Sequence, residues 1–329
     1  MNIIYLYHNY YKRRALYADI MRKLGHNVYA IDVGNKMHSK KKDHLPIKLI
    51  KKIKPDIIWL LSPFYIANGI ISEEKIQYLK DNNIFISVYG CFDVETPYTE
   101  WIDSVWKKID FLFLDSLICA RDLKKRGIDA HFVPLGFHTG QYYYFRGNCK
   151  KKIDFSFMGS SQKTSKYQKR IKYINKLHEE LPDLNIKVYG NSFKGHLLTG
   201  IKCHSFNCHA HQRQVYARSK ISLDLPFVNT SCPFYKDMLT IKNKFFELPA
   251  TGNFMLTVKS EESLRFFSDK EIGYCDDNIE SMKDKIKYYL NHTVEREKMA
   301  ERAYCIAHKH HTYTHRFIEM FSIINKGTR

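Results

Sequence analysis

From Asn2 onward the chain repeats one pattern: a short apolar run, a polar turn, a longer amphipathic stretch, then another apolar run. NIIYLYH leads through a helical stretch at 11–24 to Gly25 and then to NVYAIDV. Runs this apolar, separated by helices, belong to strands buried on both faces, and such strands are parallel and joined by crossover helices. Gly25 suits the left-handed residue that closes a helix. DIIWLL, IFISVYG, FLFLDS and HFVPLG continue the series, with helices expected near 45–53, 73–82, 98–107 and 117–126. The fold class is therefore α/β, a doubly wound parallel sheet whose ligands bind beyond the C-terminal strand ends. Those ends fall at 7–9, 62–64, 90–93, Asp115 and Gly136.

A basic, turn-rich break, TGQYYYFRGNCKKK, interrupts the series before IDFSFMG restarts it. NIKVYG, KISLDLP, NFMLT and EIGYC follow, with helices expected at 167–181, 212–218, 279–290 and 294–307. Met282, Ile286 and Leu290 recur at i, i+4 and i+8, a core-facing helical stripe. A chain of 329 residues exceeds what one core ordinarily supports, so two Rossmann-like domains in tandem are expected. Their ranges are 1–145 and 146–310, with a terminal helix at 311–329.

Composition narrows the partners. With 44% hydrophobic and 26% charged residues the chain is that of a globular protein, not a fibrous or disordered one. Its net charge of +19 favours polyanions: nucleic acid, an anionic membrane surface or phosphorylated small molecules. The N-terminus lacks the order of a signal peptide, and the longest apolar stretch, 57–71, is short and broken by Pro63 and Asn68. Eight cysteines without framework spacing accord with reduced thiols, and a cytoplasmic location is expected.

No two glycines stand two apart, and no Walker loop, GxSxG or HExxH occurs, so dinucleotide, ATP-motor, esterase and zinc-protease readings lose their main support. CHSFNCHAH, 203–211, gathers cysteine and histidine, but Cys203 and Cys208 lack a partner pair at zinc-site spacing and read as part of a polar loop. The site that stands out is KNKFFELPATGNFMLT, 242–257. It reads as a helix starting near Lys242 or Asn243, with Pro249 in a distorted turn and Gly252 as left-handed cap before a strand. The helix end and Lys244 favour an anion, and Glu247 one turn on is suited to accept hydrogen bonds from hydroxyls; phosphate beside a diol is the implied ligand. The alternative is that Glu247 only complements the helix dipole.

This segment, with IGYCDDNIESMKDKIKYYLNHTVEREKMAERAYCIAHKHHTYTHRF after it, resembles the C-terminal half of GT-B glycosyltransferases. The likeness is to the spore-maturation-protein-like (CgeB-type) group of glycosyl transferase family 1. That group carries Arg-x-Phe-Glu-x-x-Ala-x-Gly before an apolar strand, then an Asp-Asp turn, a long helix and His-Thr-Tyr. VYARSKISLDLP, DFSFMGSS and HFVPLGFHTGQYY extend the resemblance over 152–317.

The resemblance implies two Rossmann-like domains facing a cleft, with the last helix crossing back to the first domain. It implies a hexosyltransferase-like, metal-independent enzyme that moves a sugar from a nucleotide-diphosphate donor to an acceptor held mainly by the first domain. Glu247 would grip the donor ribose and Lys244, at the group's arginine position, the phosphates; lysine keeps the charge without the bidentate fork. Gly159, Ser160 and Ser161 would line the phosphates, and Tyr189, Gly190, Asn191 and Ser192 would lie near the base. Thr251 and Gly252 complete the donor segment. Many retaining relatives carry a second glutamate eight residues earlier, where this chain has Leu239. An inverting base would come from Asp93 or His8 at the first domain's strand ends, each of which serves equally as a turn cap or loop residue. No cofactor and no divalent metal are expected. Rival readings are a non-catalytic scaffold that binds a nucleotide-sugar or partner, and a basic nucleic-acid-binding protein with 23 Tyr and 21 Phe.

Overall fold

The computed structural model describes residues 1–8, 15–34, 45–90, 104–145, 149–159, 165–190, 198–205, 208–228 and 239–327. They form two compact α/β units, one of Met1–Pro134 with Tyr313–Arg329, the other of Leu135–Thr312.

The first unit holds a six-stranded sheet among the described residues. Its strands are β1 (Asn2–Tyr7), β2 (Asn27–Asp32), β3 (Ile57–Leu60), β4 (Phe85–Gly90), β5 (Phe111–Leu114) and β6 (Ala130–Phe132), in the order β2-β1-β3-β4-β5-β6. Every pairing is parallel. β3 and β5 are buried throughout, whereas β2, an edge strand, buries only Val28 and turns most of its residues to solvent. Local chemistry sets the helix ends. Ser72 and Ser116 accept from the amides of Lys75 and Cys119, and Gly25, at φ 88°, follows the Ala15–Lys23 helix.

The second unit repeats the design with β7 (Ile153–Met158), β8 (Ile186–Tyr189), β9 (Cys203–His204), β10 (Ser219–Asp224), β13 (Met255–Val258) and β14 (Gly273–Cys275), in the order β14-β13-β10-β7-β8-β9. These pairings are also parallel. A separate antiparallel pair, β11 (Phe227–Val228) and β12 (Leu239–Thr240), was not anticipated. The core runs through Phe155, Phe157, Ile174, Leu177, Ile221 and Leu256 and takes in Met282 and Ile286 from the Ile279–Asn291 helix; Tyr289 is buried there, while Leu290 is only partly covered.

The expected boundary at 145 lies downstream of the observed one, because 135–145 is tied into the second unit. Phe137 donates its amide to the His311 carbonyl, the Tyr142 hydroxyl meets His209 and Gln212, and the Phe145 amide bonds Thr251. The Tyr313–Gly327 helix belongs to the first unit, where Phe317 and Phe321 pack on Trp59 and Phe317 also meets Tyr17 and Tyr89.

Candidate functional site

In the second unit the chain leaves β7, builds β8 and β9 on one side, then returns to place β10 on the other. Where strand order reverses in this way, the crossover helices diverge and a crevice opens at the C-terminal ends of the two strands. For this sheet those ends are Met158 of β7 and Asp224 of β10.

Lys244 reaches both. Its ammonium donates to the carbonyls of Met158 at 3.0 Å and Leu223 at 3.4 Å, and stands 3.0 Å from Asp224 Oδ1. Its side chain is 14% exposed. The ring of Phe157 lies 4.6 Å from the ammonium and 5.5 Å from the guanidinium of Arg170, so one buried ring serves two cations. Arg170 donates through Nε to the Leu225 carbonyl at 2.6 Å. Gly159 follows directly: a Cβ there would come within 2.8 Å of Phe157 Cζ, so the turn after β7 admits only hydrogen at that position unless the ring moves.

Burial pulls the Lys244 pKa below the ordinary lysine value, Asp224 opposes that, Arg170 adds to the lowering, and Glu247 opposes it in turn. Glu247 sits one helical turn from Lys244 and is 3% exposed. Its segment differs from expectation in length. The helix covers only Asn243–Glu247, and a separate tight turn spans Pro249–Thr251 before Gly252, whose φ of 76° is the expected left-handed cap. Thr251 lies at the braced end: its hydroxyl donates to the Leu248 carbonyl at 2.7 Å and accepts from Asn253 Nδ2 at 3.1 Å. The same Asn253 amide reaches the carbonyls of Thr251 and Phe145, while His308 Nε2 meets the Ala250 carbonyl at 3.0 Å.

Tyr189 ends β8, and its carbonyl accepts the Gly159 amide; Gly190 donates to His204. The Tyr189 ring contacts those of His204 and His211, and Cys203 donates to the Gly190 carbonyl. The Cys/His segment thus builds the sheet edge, and among the described residues no group of three or more His, Cys, Asp or Glu is placed to hold a metal ion. Ser160, Ser161, Asn191, Ser192 and Asp93 lie outside the described residues.

His8 occupies the matching place in the first unit. There β1 is flanked by β2 and β3, and His8 follows β1 while Tyr65 follows β3; His8 Nδ1 lies 3.0 Å from the Tyr65 hydroxyl. Sequence reasoning missed Asp224, Arg170 and Phe157. Arg170 falls in phase with Tyr173, Ile174 and Leu177 on the buried face of its helix, and Asp224 closes an apolar strand before Leu-Pro, so both positions carried a signal.

No curated protein sequence matches this chain. Residues 169–322 match a family model described as glycosyl transferase-like. Among solved structures, the chain resembles the sucrose-phosphate synthase of Thermosynechococcus elongatus with a TM-score of 0.69 at 9% identity, covering 99% of this chain and 98% of that one. A glycosyltransferase from Rickettsia africae gives 0.68 at 13% identity over 100% and 98%. Anabaena HepE, solved in complex with UDP and glucose, gives 0.66 at 10% identity over 99% and 100%. The chain has the two-unit parallel α/β fold of these GT-B glycosyltransferase structures, and its residues 169–322 carry the sequence pattern of a glycosyl transferase-like family.

Proposed function

We propose that the protein is a glycosyltransferase of the spore-maturation-protein-like (CgeB-type) group, which transfers a hexose-like sugar from a nucleoside-diphosphate donor bound by the second unit. One observation carries the reading: Lys244 spans the C-terminal ends of β7 and β10 at the point where strand order reverses, with Glu247 on the same short helix. In this reading the ammonium meets the diphosphate and Glu247 accepts from ribose hydroxyls. Gly159 lets backbone approach the phosphates, because a side chain there would strike Phe157. Departure of a diphosphate leaves negative charge that a buried ammonium stabilises without a bound divalent ion. Tyr189 and Gly190 lie on the base side, and His8, held by Tyr65, is the described candidate for a general base in the first unit.

UDP and UDP-glucose occur in the HepE structures and are the first donors to test here. A panel of nucleoside diphosphates and their sugars is read by thermal shift; a ligand at a hundredfold excess over its Kd stabilises by about 2.7 kcal/mol, well within detection. Lys244→Met and Glu247→Gln are each expected to weaken the bound nucleotide by roughly tenfold or more, the worth of a charge-assisted hydrogen bond. No shift with any nucleotide sinks the reading, and unchanged affinity in both variants removes the residue assignment.

A further inference from the structure

We infer that Asp224 is an intramolecular competitor for the donor's diphosphate: its carboxylate holds Lys244, is exchanged for a phosphate oxygen when the donor binds, and thereby sets donor affinity. The inference rests on the donor reading above.

An ammonium has three donors. Here three oxygens surround Lys244 Nζ: the Asp224 carboxylate at 3.0 Å, the Met158 carbonyl at 3.0 Å and the Leu223 carbonyl at 3.4 Å. Two of the three are backbone atoms of the central strands and cannot leave. Among the described residues, the carboxylate is the oxygen partner carried on a rotatable side chain, and it is the one that an incoming phosphate oxygen resembles in charge and geometry. Asp224 is well placed for this part. It is buried, and its backbone is anchored by the Thr257 hydroxyl, which donates to its carbonyl at 2.9 Å, so the strand end stays fixed while the side chain turns.

Charge balance points the same way. Lys244 and Arg170 supply two positive charges and Asp224 and Glu247 two negative ones, the other three all acting on Lys244 at the β7 and β10 ends. A diphosphate entering this balanced cluster meets like charge unless Asp224 swings away, and like charges held close in a partly buried site cost binding energy.

The test compares UDP with uridine in the wild type and in Asp224→Asn, by calorimetry at one fixed pH. Uridine reports the base and ribose contacts; the difference between the two ligands reports the diphosphate. Asp224→Asn is expected to bind UDP about five- to tenfold more tightly, with uridine affinity unchanged. A merely structural ion pair would lower the melting temperature of the variant and leave the ratio of UDP to uridine affinity where it was. An unchanged or lower ratio therefore overturns the inference while leaving the donor reading in place. If neither protein binds any nucleoside diphosphate, the donor reading itself fails and takes this inference with it. Because removing one partner of a buried pair can unfold a protein, a structure of the wild type with UDP gives a second readout. Lys244 is expected on a phosphate oxygen with Asp224 moved beyond about 4 Å, the limit of an ion pair; a pair still closed beside bound UDP overturns the proposal.

Discussion

At the scale of single residues, Lys244 is held between opposing influences. Burial lowers its pKa and Asp224 works against that. Because the folded value lies below the unfolded one, the folded protein binds fewer protons between the two, and stability rises with pH across that interval. In the proposed donor reading, proton loss from Lys244 removes the charge that the diphosphate meets, so nucleotide affinity is expected to fall over the same interval. Melting temperature and UDP affinity measured against pH should therefore move in opposite directions in the wild type relative to Lys244→Met; parallel curves would show that Lys244 does not titrate there. Lys244 and Glu247 were legible in the sequence because both stand in one short segment. Asp224 and Arg170 carried a local signal of position only, a strand end and a buried helix face, since nothing local says which side chains meet at a sheet's reversal point.

Among elements, the segment from Asn243 to Gly252 shows how local rules and packing divide the work. Pro249 lacks an amide proton, and the five-residue helix stops before it; the chain then turns once more and closes on Gly252. What holds this turn is Asn253, whose amide reaches Thr251 Oγ1 and the Thr251 and Phe145 carbonyls. Asn253→Ala leaves those buried acceptors short of a donor and is expected to cost about 1–3 kcal/mol, read as a lower midpoint in urea. A loss within error would mean the turn is held without Asn253, by its own bonds to the Leu248 and Pro249 carbonyls and by His308. The two-residue strand β9 and the β11–β12 pair escaped prediction for a related reason: runs that short carry no periodicity and exist only because a neighbour offers an edge.

For the whole molecule, the assignment of the last helix decides what truncation does. Phe317 is fully buried against Tyr17, Trp59 and Tyr89, all in the first unit. Phe317→Ala should cost about 3–5 kcal/mol and lower the melting temperature of that unit, as followed by tryptophan fluorescence, since Trp59 and Trp106 are both buried in it. A change under about 1 kcal/mol would show that the helix is peripheral to the core. Transferase activity, once a donor is found, is expected to survive EDTA, since the proposed stabilisation comes from Lys244; loss on chelation with recovery on adding Mg²⁺ or Mn²⁺ would refute that part. No helix among the described residues is long and apolar enough to cross a membrane. The apolar runs and their spacing were enough to determine parallel strands, crossover helices and two repeats of one design, because period and burial are local properties of each segment. Strand order, the grouping of 135–145 with the second unit and of 313–327 with the first, and the meeting of Lys244 with Asp224 depended on contacts between residues far apart in the chain. Only the tertiary structure could decide those, since a buried charge takes whichever partner the packed strands bring within reach.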